Sequence, residues 1–272
     1  MTRPENKQGR PEQPTPDYVP GHDLLVGKVI VVTAAAGAGI GAAVARRALE
    51  EGASLVVISD THERRLAESE ESLAAEFGDE RVRSLVADVT NESQVQALLD
   101  VADEHGGVDV MINNAGLGGT ADVLEMTDDE WSRVLDITLT GTFRCVRAAG
   151  NRMKVAGKRG VIVNNASVIG WRAQEGQAHY AAAKAGVMAL TRCAALDVAP
   201  HGIRVNAVSP SLAMHPFLAK VTSDELLAEL KQREAFGRAA EPWEVANVMV
   251  FLASDYSSYL TGEVVSVSSQ RA

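Results

Sequence analysis

The chain has 272 residues and carries 26 Lys plus Arg against 36 Asp plus Glu, a net charge of −10. That length suffices for one α/β domain with a sizeable core, and 46% hydrophobic with 23% charged residues excludes a disordered or fibrous chain. The acidic balance argues against nucleic acid or an anionic membrane surface as a partner. Two cysteines, Cys145 and Cys193, fall in stretches that read as helices. They are too few for a disulfide framework or a zinc centre, and they fit a reduced compartment. The histidines show no metal-ligand spacing, so no metal site is expected.

Five prolines, Pro4, Pro11, Pro14, Pro16 and Pro20, crowd the first twenty residues among Gln, Glu, Arg and Lys. Such a stretch buries too little apolar surface to order itself, so 1–22 is expected to be a disordered tail, open to ordering against a neighbouring subunit. It lacks the apolar run of a secretory leader, which points to the cytoplasm. From residue 23 to 272 one domain is expected. Short β-branched runs recur at Val29–Thr33, Leu55–Ser59, Val82–Val86, Val108–Ile112, Val161–Asn165, Ile203–Val208 and Val264–Val267. Stretches of helical spacing separate them, at 40–51, 62–77, 91–105, 128–150, 179–199 and 241–253. This alternation predicts a single doubly wound, Rossmann-type α/β domain with a parallel sheet of about seven strands. The one long interruption, 209–240, holds a polar helical segment, Ser223 to Glu234. An excursion after a strand's carboxyl end lies beside the ligand crevice, so it is a candidate lid.

The first strand runs into Thr33-Ala34-Ala35-Ala36-Gly37-Ala38-Gly39-Ile40-Gly41. Small residues there admit a pyrophosphate, and the following helix offers its N-terminal N–H groups to negative charge. Asp60 closes the next strand, 19 residues after Gly41. An acid at that place bonds the ribose hydroxyls of NAD and repels a 2′-phosphate. His62, Arg64 and Arg65 follow, so NADP stays open alongside NAD. Tyr180 and Lys184 are four residues apart at a helix start and project from one face. An ammonium beside a phenol is expected to lower its pKa toward neutrality, giving a group that exchanges a proton with a carbinol or carbonyl oxygen. Ser167, just past a strand end, is placed to bond the same oxygen.

These motifs resemble the compact branch of the short-chain dehydrogenase/reductase family across 24–272. The resemblance rests on Gly27-Lys28-Val29, the glycine-rich turn, Ala87-Asp88-Val89, Asn113-Asn114-Ala115-Gly116, Ser167 with Tyr180 and Lys184, and Arg204-Val205-Asn206-Ala207-Val208. Phe251-Leu252-Ala253-Ser254 and Thr261-Gly262 also fit. It implies interconversion of a secondary alcohol and a ketone with a nicotinamide cofactor, NAD being preferred. Thr33, Ala35, Gly37, Gly39, Ile40 and Gly41 would hold the cofactor's phosphates, Asp88 and Val89 its adenine. Asn113, Asn114, Ala115 and Gly116 would line the cleft with Pro210 and Ala213, and Lys184 would also hold the nicotinamide ribose.

Four places depart from the family pattern. Ala34 stands where glycine usually follows Thr33, in a loop one residue longer. Thr138 replaces the asparagine that holds a water in the proton relay, so an impaired or rearranged relay is expected. Pro210-Ser211 replaces Pro-Gly, and His215 falls where a threonine commonly meets the carboxamide. Ser268-Ser269 replaces Gly-Gly. Trp171 and Arg172 either border the substrate or pack their loop, and His179 and His215 read as pocket residues rather than proton carriers. The resemblance extends to members that act on acyl-CoA thioesters or steroid-derived substrates. It also implies a homotetramer, pairing the helices around 128–150 and 179–199 with two-fold mates, with a dimer as the lesser assembly. The rival reading is a non-catalytic cofactor-binding regulator or structural subunit on the same fold, favoured by Thr138 and the altered loop.

Overall fold

Runs of β-branched residues buried on both faces favour parallel pairing under helices. The computed structural model, which describes residues 12–214 and 224–269, has seven such strands: β1 (Val29–Thr33), β2 (Leu55–Asp60), β3 (Val82–Val86), β4 (Val110–Asn113), β5 (Val161–Asn165), β6 (Arg204–Pro210) and β7 (Val264–Val267). They form one sheet in the order β3-β2-β1-β4-β5-β6-β7, with every pair parallel. The order reverses between β1 and β4, so their carboxyl ends open the crevice where such sheets bind ligands.

Helices α1 (Ile40–Glu50), α2 (Glu63–Phe77), α3 (Glu92–Asp103), α4 (Asp128–Leu135), α5 (Gly141–Val155), α6 (Ala178–Val198), α7 (Asp224–Arg233) and α8 (Pro242–Ala253) cover the sheet. Alternate strand residues serve opposite layers. Ile30, Val32, Val56 and Ile58 meet α1, α2 and α8 in one apolar cluster. Val29, Val31, Leu55 and Val57 meet α3, α5 and α6 in the other. Among the described residues, no helix is long and apolar enough to cross a membrane, and no group of His, Cys, Asp or Glu could hold a metal ion.

Three expectations need correction. The helix expected over 128–150 runs to Val155 and is interrupted by a π-helical turn, Asp136–Thr140. Thr142 Oγ1 donates to the Thr138 carbonyl at 2.7 Å, and a Cβ on Gly141 would lie 2.5 Å from Val89 Cγ2. Such insertions and close approaches are where helices change their winding.

The expected tail is the second. Residues 12–22 form no helix or strand, yet they are laid against the domain. Tyr18 donates to Glu50 Oε2 at 2.5 Å and sets its ring edge-on to Trp243. Arg47 reaches the carbonyls of Val19 and Pro20, and Glu51 accepts from the N–H groups of His22 and Leu24. Backbone hydrogen bonds to buried side chains on α1 supply the order that the segment's own composition does not. Residues 1–11 lie outside the described residues.

The third concerns strand ends. β6 reaches Pro210, and β4 runs from Val110 to Asn113 rather than from Val108 to Ile112, with the Asp109 side chain pairing with Lys158 and accepting from the Val29 N–H. Of the lid, α7 and the stem are described. Ala213 bridges Ala240, and the buried Glu234 accepts from the Leu212 N–H and Ser269 Oγ.

Candidate active site

Thr33 ends β1 fully buried, and its hydroxyl accepts from the N–H groups of Asn114 and Ala115, each at 3.0 Å. One side chain thus ties β1 to the segment after β4. The next residue, Ala34, has φ 51, a left-handed conformation that an L side chain rarely adopts. Asn114 Nδ2 holds it there, donating to the Ala34 carbonyl at 3.0 Å and to the Thr33 carbonyl at 3.3 Å. Gly41 must be glycine, because a Cβ would stand 2.3 Å from the same Ala34 oxygen.

Beyond this clamp the turn opens. A Cβ on Gly37 or Gly39 would meet nothing within 4 Å, so no side chain blocks an approaching group there, while the Gly37 N–H donates to Ser69 Oγ at 3.1 Å. Gly39 caps α1 without a side-chain acceptor, and the helix's first turn holds no acid. Unsatisfied N–H groups and the helix's positive end therefore face the turn, the requirement for a pyrophosphate. The residues present fit the cofactor on this count. Asp60 is fixed beside the turn, its Oδ2 accepting from the Ala36 N–H at 3.3 Å and its Oδ1 from the His62 N–H at 3.0 Å. Of the basic residues after it, Arg64 pairs with Glu68 at 3.0 Å. Past β3, Asp88 accepts from the Thr90 N–H at 2.8 Å, and Val89 is buried against Gly141. Pro210 ends β6 and Ala213 lies at the lid stem, farther along the same strand ends.

The second group assembles at the end of β5 and the start of α6. Ser167 turns the chain into a single 3₁₀ turn, its Oγ accepting from the Ile169 N–H at 3.3 Å. Tyr180 is hydrogen-bonded to Ser167, and the Lys184 ammonium lies 5.6 Å from the centre of the Tyr180 ring. Gly116 passes close enough that a Cβ would sit 3.3 Å from Lys184 Nζ. Ser167, Tyr180, Lys184 and Gly116 are thus brought together.

The electrostatics differ from the expected lowering of the Tyr180 pKa. Burial raises the phenol, and the hydrogen bond from Ser167 opposes that only in part. Burial also pushes the Lys184 ammonium down to about 8. The reason is geometric: the Lys184 ammonium is bonded to the Asn165 carbonyl, at 2.5 Å, and has no carboxylate partner among the described residues to hold its charge.

Thr138 is fully buried. Its hydroxyl donates to the Leu117 carbonyl at 3.2 Å and accepts from the Leu117 N–H at 3.0 Å. Its proton is therefore committed to fixing the loop after β4. That loop lies over the start of α6, where Gln177 Nε2 donates to the Gly119 carbonyl at 2.6 Å.

Trp171 is exposed at the turn after Ser167 and Arg172 is half-buried. His179 is buried, its Nδ1 accepting from the Tyr180 N–H at 2.9 Å. His215 lies outside the described residues. Sequence reasoning did not single out Asn165, whose carbonyl holds Lys184 and whose Nδ2 donates to Asn114 Oδ1 at 2.9 Å. Its only signal was a second asparagine at the end of an otherwise apolar strand.

A family model described as enoyl-(acyl carrier protein) reductase, of the short-chain dehydrogenase group, matches residues 34–269. The chain is 63% identical over 256 residues to a Mycobacterium tuberculosis protein named (5R,7aS)-5-hydroxy-7a-methyl-1-oxo-2,3,5,6,7,7a-hexahydro-1H-indene-carboxyl-CoA reductase, covering 94% of this chain and 97% of that one. It is 43% identical to cis-4-hydroxycyclohexanecarboxylate dehydrogenase of Sinomonas cyclohexanicum, over 88% and 94% of the two chains. A solved short-chain dehydrogenase from Mycobacterium smegmatis superposes with a TM-score of 0.84 at 56% identity, covering 95% and 99%. These relatives are named for catalysis at alcohol or ketone groups, which favours the enzyme over the non-catalytic rival. The chain belongs to the short-chain dehydrogenase/reductase family and is an oxidoreductase that interconverts an alcohol and a ketone with a nicotinamide cofactor.

Proposed function

We propose that this enzyme prefers NAD(H) and acts on a ring alcohol or ketone of a CoA thioester derived from a steroid skeleton. The cofactor preference is carried by Asp60, whose two oxygens are pinned by Ala36 and His62 at the end of β2. A fixed carboxylate there accepts from ribose hydroxyls and repels a 2′-phosphate. The substrate class is supported by the likeness to the mycobacterial hexahydroindene-carboxyl-CoA reductase. The nicotinamide, when bound, exchanges a hydride with the substrate carbon.

Tyr180 transfers the proton to or from the substrate oxygen, and Ser167 bonds that oxygen and orients it. Lys184, whose ammonium lies 5.6 Å from the centre of the Tyr180 ring, supplies the positive charge that favours the phenolate. Trp171, Arg172 and His215 are the candidates for the substrate side. Exposed Phe143 on α5, Leu196 on α6 and Tyr259 before β7 suit the helix pairing of a cytoplasmic homotetramer.

The test is a set of ketones and alcohols, including alicyclic CoA thioesters, followed at the nicotinamide absorbance with each cofactor. A CoA thioester should exceed its free acid in kcat/KM by tenfold or more; equal rates would defeat the substrate class. Fluorescence titration should show tighter NADH than NADPH, and Asp60→Ala should narrow the gap. Tighter NADPH in the unaltered enzyme would defeat the cofactor preference. Light scattering that returned a fully active monomer would defeat the assembly.

A further inference from the structure

The amide of Asn165 carries an unused acceptor whose orientation is dictated by its neighbours. Carbonyl oxygens only accept, so Asn114 must turn its NH₂ toward Thr33 and Ala34, and its Oδ1 toward Asn165. Asn165 must then present its own NH₂ to Asn114. Its Oδ1 is left buried and without a partner among the described residues. A buried lone acceptor costs about as much as a lost hydrogen bond, so an apolar residue here would be less costly unless something donates to it.

A second unsatisfied group lies beside it. The Lys184 ammonium has three donors, and its acceptor among the described residues is the backbone oxygen of the same Asn165, at 2.5 Å. An unpaired acceptor and spare donors at one residue are the complement of a hydroxyl group, which accepts one hydrogen bond and donates another. The neighbouring pair, Asn113 and Asn164, serves as a contrast. Asn113 Oδ1 is also unpaired, but this pair runs into Thr191 within the core.

We propose that Asn165 Oδ1 accepts a hydroxyl proton from the group that Lys184 also holds, the ribose on the nicotinamide side or a water in its place. Resting on the nicotinamide reading, this makes Asn165 a positioning residue with two attachments. Its backbone carbonyl holds Lys184, its NH₂ braces the phosphate turn through Asn114 and Ala34, and its Oδ1 is the acceptor left over.

Asn165→Leu removes the amide at similar volume. NADH and ADP affinities are measured by fluorescence and calorimetry, with thermal melts to check folding and kcat followed across pH. If the ribose is the donor, Asn165→Leu weakens NADH about fivefold, the worth of one neutral hydrogen bond, and leaves ADP within twofold. If a water is the donor, NADH affinity holds and the alkaline limb of kcat moves to lower pH in Asn165→Leu. ADP weakened as much as NADH would mean that the amide merely braces the turn, and would overturn the proposal. So would no change in either affinity or pH profile. Failure of the unaltered enzyme to bind any nicotinamide dinucleotide would instead defeat the cofactor reading itself.

Discussion

Replacing Ala34 by glycine should stabilise this enzyme. The residue sits at φ 51, and its conformation is imposed by the Asn114 amide on its carbonyl and by Gly41 packed against the same oxygen. A left-handed conformation costs an L residue roughly 1–2 kcal/mol. Glycine removes that cost but enlarges the freedom of the unfolded chain, which takes back about 0.4–1 kcal/mol. The balance favours glycine by about 0.5–1 kcal/mol, and for a chain of this size that is a rise in Tm of about 1–4 °C. Thermal unfolding is followed by fluorescence at one protein concentration and without nucleotide, because bound ligand and assembly both move Tm. NADH affinity should stay within twofold, since the backbone at Gly37 and Gly39 is untouched. Asn114→Ala should do the opposite, leaving the Thr33 and Ala34 carbonyls and the Asn165 amide short of partners, with a loss of about 1–3 kcal/mol. An unchanged or lower Tm for Ala34→Gly would refute the assignment of strain to this residue.

Tyr180→Phe should lower kcat by at least about a hundredfold, the lower range for general acid–base catalysis, while NADH titration stays unchanged; retained turnover would remove Tyr180 from the chemistry. Lys184→Met should abolish turnover yet raise Tm at pH 7 by about 4–8 °C, as expected for replacing a buried, poorly paired charge with an apolar chain at ~2 kcal/mol. Because burial holds the folded-state ammonium down at about 8, below the ordinary lysine value of 10.5, its penalty is complete below pH 8 and fades as pH rises toward 10.5. The Tm gap should therefore close over that interval, and a gap independent of pH would refute the cause. Thr138→Asn should keep kcat within about twofold, since an amide can both accept from and donate to Leu117 as the hydroxyl does, while overpacking costs about 1–3 kcal/mol. A tenfold rise in kcat would show that a relay through this position limits the enzyme.

Much of the fold is legible because its cause is local. Val29 to Thr33 reads as a strand since all five residues are buried, and such runs need no partner to be recognised. The glycine-rich turn and Asp60 are legible for the same reason: each follows a strand whose end the apolar pattern marks. The π-helical turn at Asp136–Thr140 leaves no trace in periodicity, because it depends on Gly141 meeting Val89 from another layer. Arg47 and Glu51, four apart on α1, would pass for a surface pair. They are buried because Tyr18, Val19 and Pro20 close over them.

The site divides along the same line. In a parallel sheet every strand ends at one edge, so residues far apart in sequence become lateral neighbours there. A motif states how far along its strand a residue lies, and that placed Thr33, Asn114, Ser167 and Lys184 at the crevice. It does not state which neighbour each one faces. Tyr180 and Lys184 share a helix face, and from that alone the ammonium should lower the phenol's pKa. The ammonium instead bonds the carbonyl of Asn165, across the crevice on β5, and burial decides the direction for both groups. Asn165 is reached through Asn114, and Asn114 through the carbonyl of Ala34. Each of those contacts crosses to another strand, so the chain that links phosphate turn to lysine exists only once β1, β4 and β5 lie side by side.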